Sequence, residues 1–213
     1  MGTARAAVPK AGAGGVGRPG VRSASDLRER LVDATEEVMR RNGPLGVRVD
    51  EVARVAGCSR ATLYRHVADK DELVREVLGR LARARADRMA TRLQAFEDPA
   101  ERIAEGVHRT VEAVRAEWWY QELERHGAAG AVARIGGGPQ AFVALATPLV
   151  APFLERVAAM GLLRSGVTDT DATEWLCVVT TGLLTMDVPT SRTRAEQIAF
   201  LRRFVADPLL RRG

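Results

Sequence analysis

The chain is poor in the residues that build disulfides, metal sites and large aromatic cores. Its 213 residues include two cysteines and three histidines, and aromatic side chains make up 5% of the total. Cys58 and Cys177 lie far apart in the sequence, so neither a disulfide framework nor a CxxC metal site is expected. His66, His108 and His126 lack the spacing of zinc ligands. We therefore predict a protein without a metal or any other cofactor.

Motifs typical of enzymes are missing as well. The sequence contains no nucleophile-elbow serine, no HExxH pair and no nucleotide-binding loop. A glycine-rich segment over residues 127–138 lacks both a preceding strand and the lysine that a phosphate-binding loop needs. The carboxylates are scattered along the chain, and no pair stands out for acid–base catalysis. The sequence therefore does not predict an enzyme.

Long apolar runs are also absent. The longest, residues 141–154, is interrupted by Pro148 and Pro152 and is shorter than the roughly 20 residues that cross a bilayer. The first residues contain no apolar stretch typical of an export signal. We therefore predict a cytoplasmic protein without a membrane partner.

The positive charge is concentrated towards the N-terminus. The formal net charge is +5, of which residues 1–25 contribute +4, residues 26–90 contribute +2 and residues 91–213 contribute −1. Such an asymmetry is typical of a protein whose N-terminal part meets nucleic-acid phosphates.

The first 24 residues are expected to form a disordered basic arm. They are rich in glycine, alanine and proline, and their charged side chains are Arg5, Lys10, Arg18 and Arg22. Two interpretations remain open for this arm. It is either a loose tail or a segment that follows the DNA backbone or enters a minor groove.

The rest of the chain is predicted to be all-α, because no segment has the alternating pattern of a strand. The spacing of apolar residues, together with capping and stop signals, gives the expected helices. They are residues 26–41, two short helices on either side of Gly57, 70–96, a helix begun by Asp98 and Pro99, 118–126, 139–163, a helix capped by Asp169 or Asp171, and a last helix opened by Thr193.

Residues 49–68 carry the most specific signal in the chain. Gly57 can adopt the left-handed conformation that ends a first short helix. Ser59 is a good N-cap for a second helix, and Leu63 is placed to pack back onto Val52 and Ala53. This spacing predicts a helix-turn-helix, the motif that places its second helix in the major groove of DNA.

Polar residues suited to DNA contact surround the second helix. Arginine can bind a guanine edge bidentately, and hydroxyl and imidazole groups can bind phosphates or base edges. Asp69 is expected to cap the following helix, whose N-terminus together with Lys70 suits a phosphate. The candidate DNA-binding residues are Arg48, Ser59, Arg60, Ala61, Thr62, Tyr64, Arg65, His66 and Lys70.

The same residues resemble the N-terminal signature of the TetR (tetracycline-repressor) family, I-A-x-x-A-G-V-S-x-x-T-L-Y-x-H-F followed by K-x-x-L. The matching residues are Val52-Ala53, Ala56-Gly57-Cys58-Ser59, Thr62-Leu63-Tyr64, His66, Lys70 and Leu73. The resemblance covers about residues 27–80. Two positions depart from it. Arg48 replaces a threonine that caps the first motif helix and touches phosphate, and Val67 replaces a phenylalanine.

The resemblance implies a domain organisation and a mode of action. A helix-turn-helix DNA-binding domain is expected over residues 25–72, followed by a helical effector-binding and dimerisation domain over residues 73–213. The implied function is a ligand-responsive repressor that binds a palindromic operator in double-stranded DNA as a homodimer. The last two helices are apolar on more than one face, and their candidate interface residues are Trp175, Val179, Leu183, Ile198, Leu201 and Val205.

The resemblance also implies a small-molecule effector of unknown identity in the second domain. Candidate ligand-binding residues combine aromatic walls with a few polar groups: His108, Arg115, Trp118, Trp119, Phe142 and Phe153. Ordinary core or surface packing is the alternative interpretation of each. A helical-dimer adaptor, or a ligand-binding protein without specific DNA binding, is the alternative function.

Overall fold

The computed structural model describes residues 24–128, 130, 131, 135, 139–186 and 192–211. The predicted basic arm lies outside these residues, apart from Ala24, which begins the first helix. Most of the glycine-rich segment over residues 127–138 lies outside them as well. The two interpretations of the arm therefore remain predictions.

The described residues form nine α-helices and no strand, which confirms the all-α prediction. The helices are α1 (Ala24–Asn42), α2 (Val49–Ala56), α3 (Arg60–Tyr64), α4 (Lys70–Leu93), α5 (Pro99–Arg115), α6 (Trp118–Arg125), α7 (Pro139–Ala159), α8 (Asp169–Thr185) and α9 (Arg194–Leu201). A 3₁₀ turn, Pro44–Gly46, precedes α2, and a π turn, Arg202–Ala206, continues α9 into a 3₁₀ turn, Asp207–Leu209.

The first four helices share one hydrophobic core. Leu31, Val52, Leu63 and Leu73, one from each helix, are completely buried in it. Helix α1 packs against both α2 and α4, and it ends where Gly43, with φ 73°, precedes a proline that cannot continue the helix. The short helices α2 and α3 are therefore held from behind by two longer ones.

Helix α6 connects this core to the rest of the molecule. Trp119, Tyr120 and Leu123 on α6 are buried in the same cluster as the residues of α1 to α4. A second core lies between α5, α7, α8 and α9, where Leu154 and Leu201 are buried. The proposed domain boundary at residues 72/73 falls within α4, which runs from the first core towards the second.

Two helix ends differ from the prediction by three residues or more. Helix α7 was expected to reach Leu163 but ends at Ala159, because Gly161, with φ 68°, turns the chain in the left-handed conformation. Leu163 then pairs with Leu210 in an isolated bridge. Helix α4 likewise ends at Leu93, three residues earlier than expected.

The cap predicted for α8 was wrong. Thr168 is the N-cap, and its hydroxyl accepts a hydrogen bond from the backbone N–H of Asp171 at 3.1 Å. The carboxylate of Asp171 accepts from the backbone N–H of Thr168 in return, at 2.9 Å. This reciprocal arrangement is a capping box, in which the aspartate occupies the third helical position.

None of the helices in the described ranges is both long enough and apolar enough to span a bilayer. The described residues also contain no group of three or more His, Cys, Asp or Glu side chains arranged to hold a metal ion.

Candidate nucleic-acid interface and ligand cavity

The turn between α2 and α3 depends on the left-handed conformation of Gly57. Its φ and ψ angles are 67° and 39°, and its N–H and that of Cys58 donate to carbonyl oxygens in the last turn of α2. A Cβ atom added at Gly57 would meet no atom within 4 Å. Glycine is therefore required here by backbone conformation and not by lack of space.

Helix α3 begins at a side-chain cap and is anchored by one buried residue. The Ser59 hydroxyl accepts a hydrogen bond from the backbone N–H of Thr62 at 3.1 Å. Leu63 is completely buried, and Ala53 on α2 is nearly so. The predicted helix-turn-helix geometry is therefore confirmed.

The predicted DNA-binding residues lie on the surface around α3. Six of them have exposed side chains: Arg48, Ser59, Arg60, Ala61, Tyr64 and Arg65. Thr62, His66 and Lys70 are half-buried. Asp69 caps α4 as predicted, since its carboxylate accepts from the backbone N–H of Glu72 at 2.8 Å. Helix α4 begins at Lys70, six residues after the recognition helix α3 ends at Tyr64.

Arg60 is positioned by an acid and a ring that flank it. Its Nη1 lies 3.0 Å from Asp50 Oδ1, and its Cζ lies 5.6 Å from the centroid of the Tyr64 ring. Contact with Tyr64 and then the negative charge of Asp50 raise the pKa of Arg60. Sequence reasoning missed Asp50, which lies ten residues earlier in the chain on α2.

Arg48 occupies the N-cap position of α2, where the family signature has threonine. Its side chain makes no capping hydrogen bond, so the capping role is lost with the threonine. The side chain is exposed and has no polar partner within the described ranges. Contact between Arg48 and a phosphate remains a prediction.

Arg28 ties the end of α3 to α1 and α4. From α1, its Nη1 donates to the carbonyl oxygen of His66 at 2.5 Å, and its Nη2 binds the carboxylates of Glu72 and Glu76 on α4. Arg28 and then the N–H of Ala68 lower the pKa of Glu72. These contacts join residues 38 or more positions apart, and no local pattern in the sequence indicates them.

A cavity of about 530 Å³ lies between α4, α5, α7 and α8. Its wall is largely apolar and includes Trp119 and Phe153, two of the six predicted ligand-binding residues. Sequence reasoning missed its charged and hydroxylic members: Arg75, Arg85, Asp87, Arg102, Thr110, Arg156 and Thr180. Their placement depends on how four helices pack, which no single segment reveals.

Three other predicted ligand-binding residues, His108, Arg115 and Trp118, do not line the cavity. His108 is buried, and its Nε2 lies 3.3 Å from Glu112 Oε2 on the same helix. Arg115 donates to the carbonyl oxygen of Leu183 at 2.9 Å, which ties it to the end of α8. Helical periodicity alone does not show which face of α5 meets the cavity, and the binding of a ligand by these residues remains a prediction.

Trp118 packs against the first core, beside α1. The Cζ atom of Arg40, on α1, lies 4.8 Å from the centroid of the Trp118 ring. The tryptophan therefore faces α1 and not the cavity. The side chain of Phe142 lies outside the described residues.

The predicted interface residues divide by exposure. Leu201 and Val205 are buried in the second core of the chain itself, so they present no surface to a partner, and their assignment is corrected. Trp175 is 41% exposed, whereas Val179, Leu183 and Ile198 are half-buried against the same core. Val178 and Phe204, which were not predicted, are 60% and 52% exposed.

Comparison with known proteins places the helix-turn-helix in a family. Residues 31–77 match the model described as bacterial regulatory proteins, tetR family. An uncharacterised HTH-type transcriptional regulator of Mycobacterium tuberculosis is 31% identical over 87 residues, which cover 41% of this chain and 43% of the relative. A second one from the same organism is 35% identical over 93 residues, covering 43% and 39%. The chain thus spans about two fifths of the length of these curated relatives.

Solved structures share the fold over most of the chain. RolR in complex with resorcinol has a TM-score of 0.64 at 15% identity and covers 89% of this chain and 90% of its own. Thermus thermophilus FadR, a TetR-family transcriptional repressor in complex with lauroyl-CoA, has a TM-score of 0.60 at 19% identity, with coverages of 87% and 96%. The R. erythropolis repressor QsdR has a TM-score of 0.61 at 20% identity, with coverages of 88% and 96%.

At these identities the structural likeness concerns the fold, and the sequence match supplies the relationship. The match falls on the helices that build the capped recognition helix, and the remaining helices follow the architecture of the same group of regulators. Residues 31–77 are therefore similar to the tetR family of bacterial regulatory proteins, and most of the chain shares the fold of solved structures of such regulators.

Proposed function

We propose that the protein is a transcriptional repressor that binds a palindromic operator as a homodimer and releases it when a small molecule binds. The observation that carries the proposal is the geometry of α3. The helix is capped by Ser59, anchored by the buried Leu63, and presents Arg60, Tyr64 and Arg65 on an exposed surface. Its place of action is then the cytoplasm, where bacterial DNA is found.

The contacts proposed for α3 divide into base readout and phosphate binding. Arg60 is assigned to a base edge, because a guanidinium can bind the two acceptors of a guanine together. Tyr64, Lys70 and Arg48 are assigned to phosphates, which position the helix without reading sequence. The bond from Arg28 to the carbonyl of His66 supports this assignment, because it holds the end of α3 against α1.

A homodimer is proposed because exposed apolar side chains remain near the end of the chain. Trp175 and Val178 on α8 and Phe204 after α9 are each at least 41% exposed. Covering such groups with the same surface of a second copy gives a two-fold interface. The DNA-binding heads of the two protomers (residues 25–72 of each) would reach successive major grooves if they lie about 34–36 Å apart. The two-fold symmetry of such a dimer implies a near-palindromic operator.

Release by a small molecule is proposed because α4 is shared between the DNA-binding head and the cavity. Leu73 and Val77 near its start are buried in the first core, whereas Met89 and Leu93 near its end line the cavity. A ligand that binds more tightly, by a few kcal/mol, when α4 is in one of two positions would favour that position. It would thereby change the fraction of dimers whose two DNA-binding heads are spaced for successive major grooves. RolR and T. thermophilus FadR, which share the fold, were solved with resorcinol and lauroyl-CoA, and this supports a small organic effector.

Selection of duplexes from a random pool tests the DNA-binding part of the proposal. The full-length protein is expected to enrich a near-palindromic sequence, and the complex is expected to contain two protomers per duplex. Enrichment of a sequence without symmetry would contradict the dimeric operator. The absence of any enrichment, at low salt as well, would favour a helical-dimer adaptor instead.

A further inference from the structure

The polar groups of the cavity are mainly cationic. Four arginines line it, Arg75, Arg85, Arg102 and Arg156, whereas Asp87 is the acidic residue in the described wall. The charge of Arg85 is compensated, because its guanidinium binds the carboxylate of Glu117 at the start of α6. Arg75 also has an interaction within the described residues, so Arg102 and Arg156 remain as the candidates for binding an anionic ligand.

Arg102 and Arg156 are both neighbours of Phe153 at the wall of the cavity. The Cζ atom of Arg102, on α5, is 5.7 Å from the centroid of the Phe153 ring on α7. Arg156 follows Phe153 by three residues on the same helix, so the two side chains are neighbours on its surface. All three residues line the cavity. Two guanidinium groups are thus gathered beside Phe153.

These two arginines retain donors that no carboxylate satisfies. The side chain of Arg156, which is exposed, makes neither a hydrogen bond nor an ion pair with any residue that the structure describes. Arg102 donates from Nε and Nη2 to the carbonyl oxygen of Phe96, and its Nη1 has no bond within the same part of the chain. A neutral carbonyl leaves the charge of Arg102 uncompensated. A ligand anion would supply acceptors to both groups.

Two threonines add hydroxyls to the apolar part of the wall. Thr110 on α5 and Thr180 on α8 line the cavity, and neither forms a hydrogen bond inside the described ranges. The neighbouring Thr181, by contrast, donates to the carbonyl oxygen of Cys177 in the preceding turn at 2.7 Å. Each of these two hydroxyls is therefore available to donate a hydrogen bond to a ligand or to accept one from it. Such a ligand would carry a polar group within its apolar body.

We infer that the cavity binds an apolar organic acid, with its carboxylate between Arg102 and Arg156 and its hydrocarbon part along the apolar wall formed by α4 and α5. This inference rests on the proposed function, in which the ligand of the cavity is the effector. The volume of about 530 Å³ suits a molecule of drug size. A ligand whose body is mainly polar, although it carries a carboxylate, would leave the apolar wall of the cavity uncovered.

A pair of probes that differ in the head group alone tests the inference. The neutral fluorophore N-phenyl-1-naphthylamine would report occupation of the apolar cavity in the full-length protein. Its displacement by decanoate and by decan-1-ol would then be titrated at neutral pH. We expect decanoate to bind at least about tenfold more tightly, because a charge-assisted bond to arginine is stronger than one from a hydroxyl.

Substitutions at the proposed anchor locate the effect. Arg156→Gln is expected to remove most of the preference for decanoate while leaving the affinity for decan-1-ol unchanged, and Arg156→Lys is expected to restore part of it. Arg102→Gln should act in the same direction. Arg164→Gln is the matched control, because Arg164 is an exposed arginine that follows α7 and does not line the cavity. A preference that survives in both anchor variants, or equal binding of the two probes to the unaltered protein, would overturn the inference.

The failure of this inference can be separated from that of the proposed function. Probe binding is measured without DNA, and the release of the selected duplex is measured in a second titration. Decanoate that binds through Arg156 but leaves the duplex bound would refute the effector role of the cavity and keep the ligand class. Release of the duplex by decan-1-ol, with no preference for decanoate, would refute the ligand class and keep the regulator.

Discussion

Arg60 is the residue through which the proposed interface reads a base. Asp50 and Tyr64 hold its guanidinium on the exposed side of α3, at a distance of 3.0 Å from Asp50. An arginine restrained before binding loses less conformational freedom when it meets a guanine edge.

Replacing Arg60 should therefore change which sequences are bound. Arg60→Ala is expected to reduce discrimination by about tenfold at one base pair per half-site. Tyr64→Phe and Lys70→Ala are expected to weaken all duplexes alike, because phosphate contacts carry no sequence information. The measurement is a comparison of selected sequences, with Arg125→Ala on α6 as the control. A uniform loss of affinity in Arg60→Ala would contradict the assignment of Arg60 to a base.

Gly57 and Gly182 offer a matched test of backbone conformation. Gly57→Ala is expected to lower the free energy of unfolding by about 1–2 kcal/mol, because alanine is unfavourable at φ 67°. Gly182→Ala, inside α8, is expected to raise it by about 0.5–1 kcal/mol, because alanine favours a helix. Neither added Cβ meets an atom within 4 Å. Chemical denaturation gives both values, and changes of the same sign would refute this explanation of the turn.

At the scale of helices, signals that lie within four residues could be predicted from the sequence. Ser59, Asp69 and Thr193 cap their helices as predicted, because each accepts from a backbone N–H three residues later. Thr168 was missed, since threonine and aspartate three residues apart can each serve as an N-cap.

Contacts between distant helices could not be predicted. The bonds of Arg28 join α1 to α3 and α4, and Arg102 meets Phe153 across two helices. Periodicity identifies an apolar face but not the helix that covers it. Of the predicted ligand-binding residues, Trp119 and Phe153 line the cavity, whereas His108, Arg115 and Trp118 do not.

Helix α9 is joined to α5 by a buried carboxylate. The oxygens of Glu105 accept from Arg194 Nη2 on α9 at 2.7 and 2.8 Å, and Oε2 accepts from Arg109 Nε at 2.6 Å. Burial raises the pKa of Glu105, but the hydrogen bonds and charges of the two arginines outweigh it, so the pKa is lowered overall.

This carboxylate predicts a loss of stability in acid. A folded-state pKa below the unfolded value of about 4.3 stabilises the protein above that pH, and the contribution disappears as the pH falls through the folded-state pKa. Glu105→Gln is expected to lower the free energy of unfolding by about 1–2 kcal/mol at pH 7 and by less below pH 4. Glu155→Gln, at an exposed glutamate of α7, is the control. A difference that stays constant between pH 7 and pH 3 would contradict the account.

At the scale of the whole molecule, the two cores are joined through α4 and α6. Tyr120 on α6 donates to the carbonyl oxygen of Leu184 at the end of α8, at 2.9 Å, and it is buried in the core of the DNA-binding head. Arg115 makes a second bond to the same end of α8. A displacement of α8 or α4 would therefore also move α1, which supports the recognition helix α3.

The exposed part of α8 should control both assembly and DNA binding. Val178→Glu is expected to produce a monomer, because it places a charge in the proposed dimer interface, where Val178 is 60% exposed in the single chain. Loss of the second head should then weaken binding to a palindromic duplex. Sedimentation gives the oligomeric state. Leu45→Glu, at a residue 54% exposed in the head, is the control that should leave the oligomer intact. A dimer that persists in Val178→Glu would exclude this face.

Helix α3 is proposed to read DNA, and removing its exposed side chains while keeping the fold tests this role directly. A variant with Arg60, Tyr64 and Arg65 changed to alanine would be titrated with the selected duplex, beside a variant with Arg88 and Arg92 of α4 changed to alanine. Both variants lose two positive charges. We predict that the first loses sequence-specific binding with unaltered thermal unfolding, and that the second retains it. Specific binding by the α3 variant that matches the unaltered protein would contradict the account.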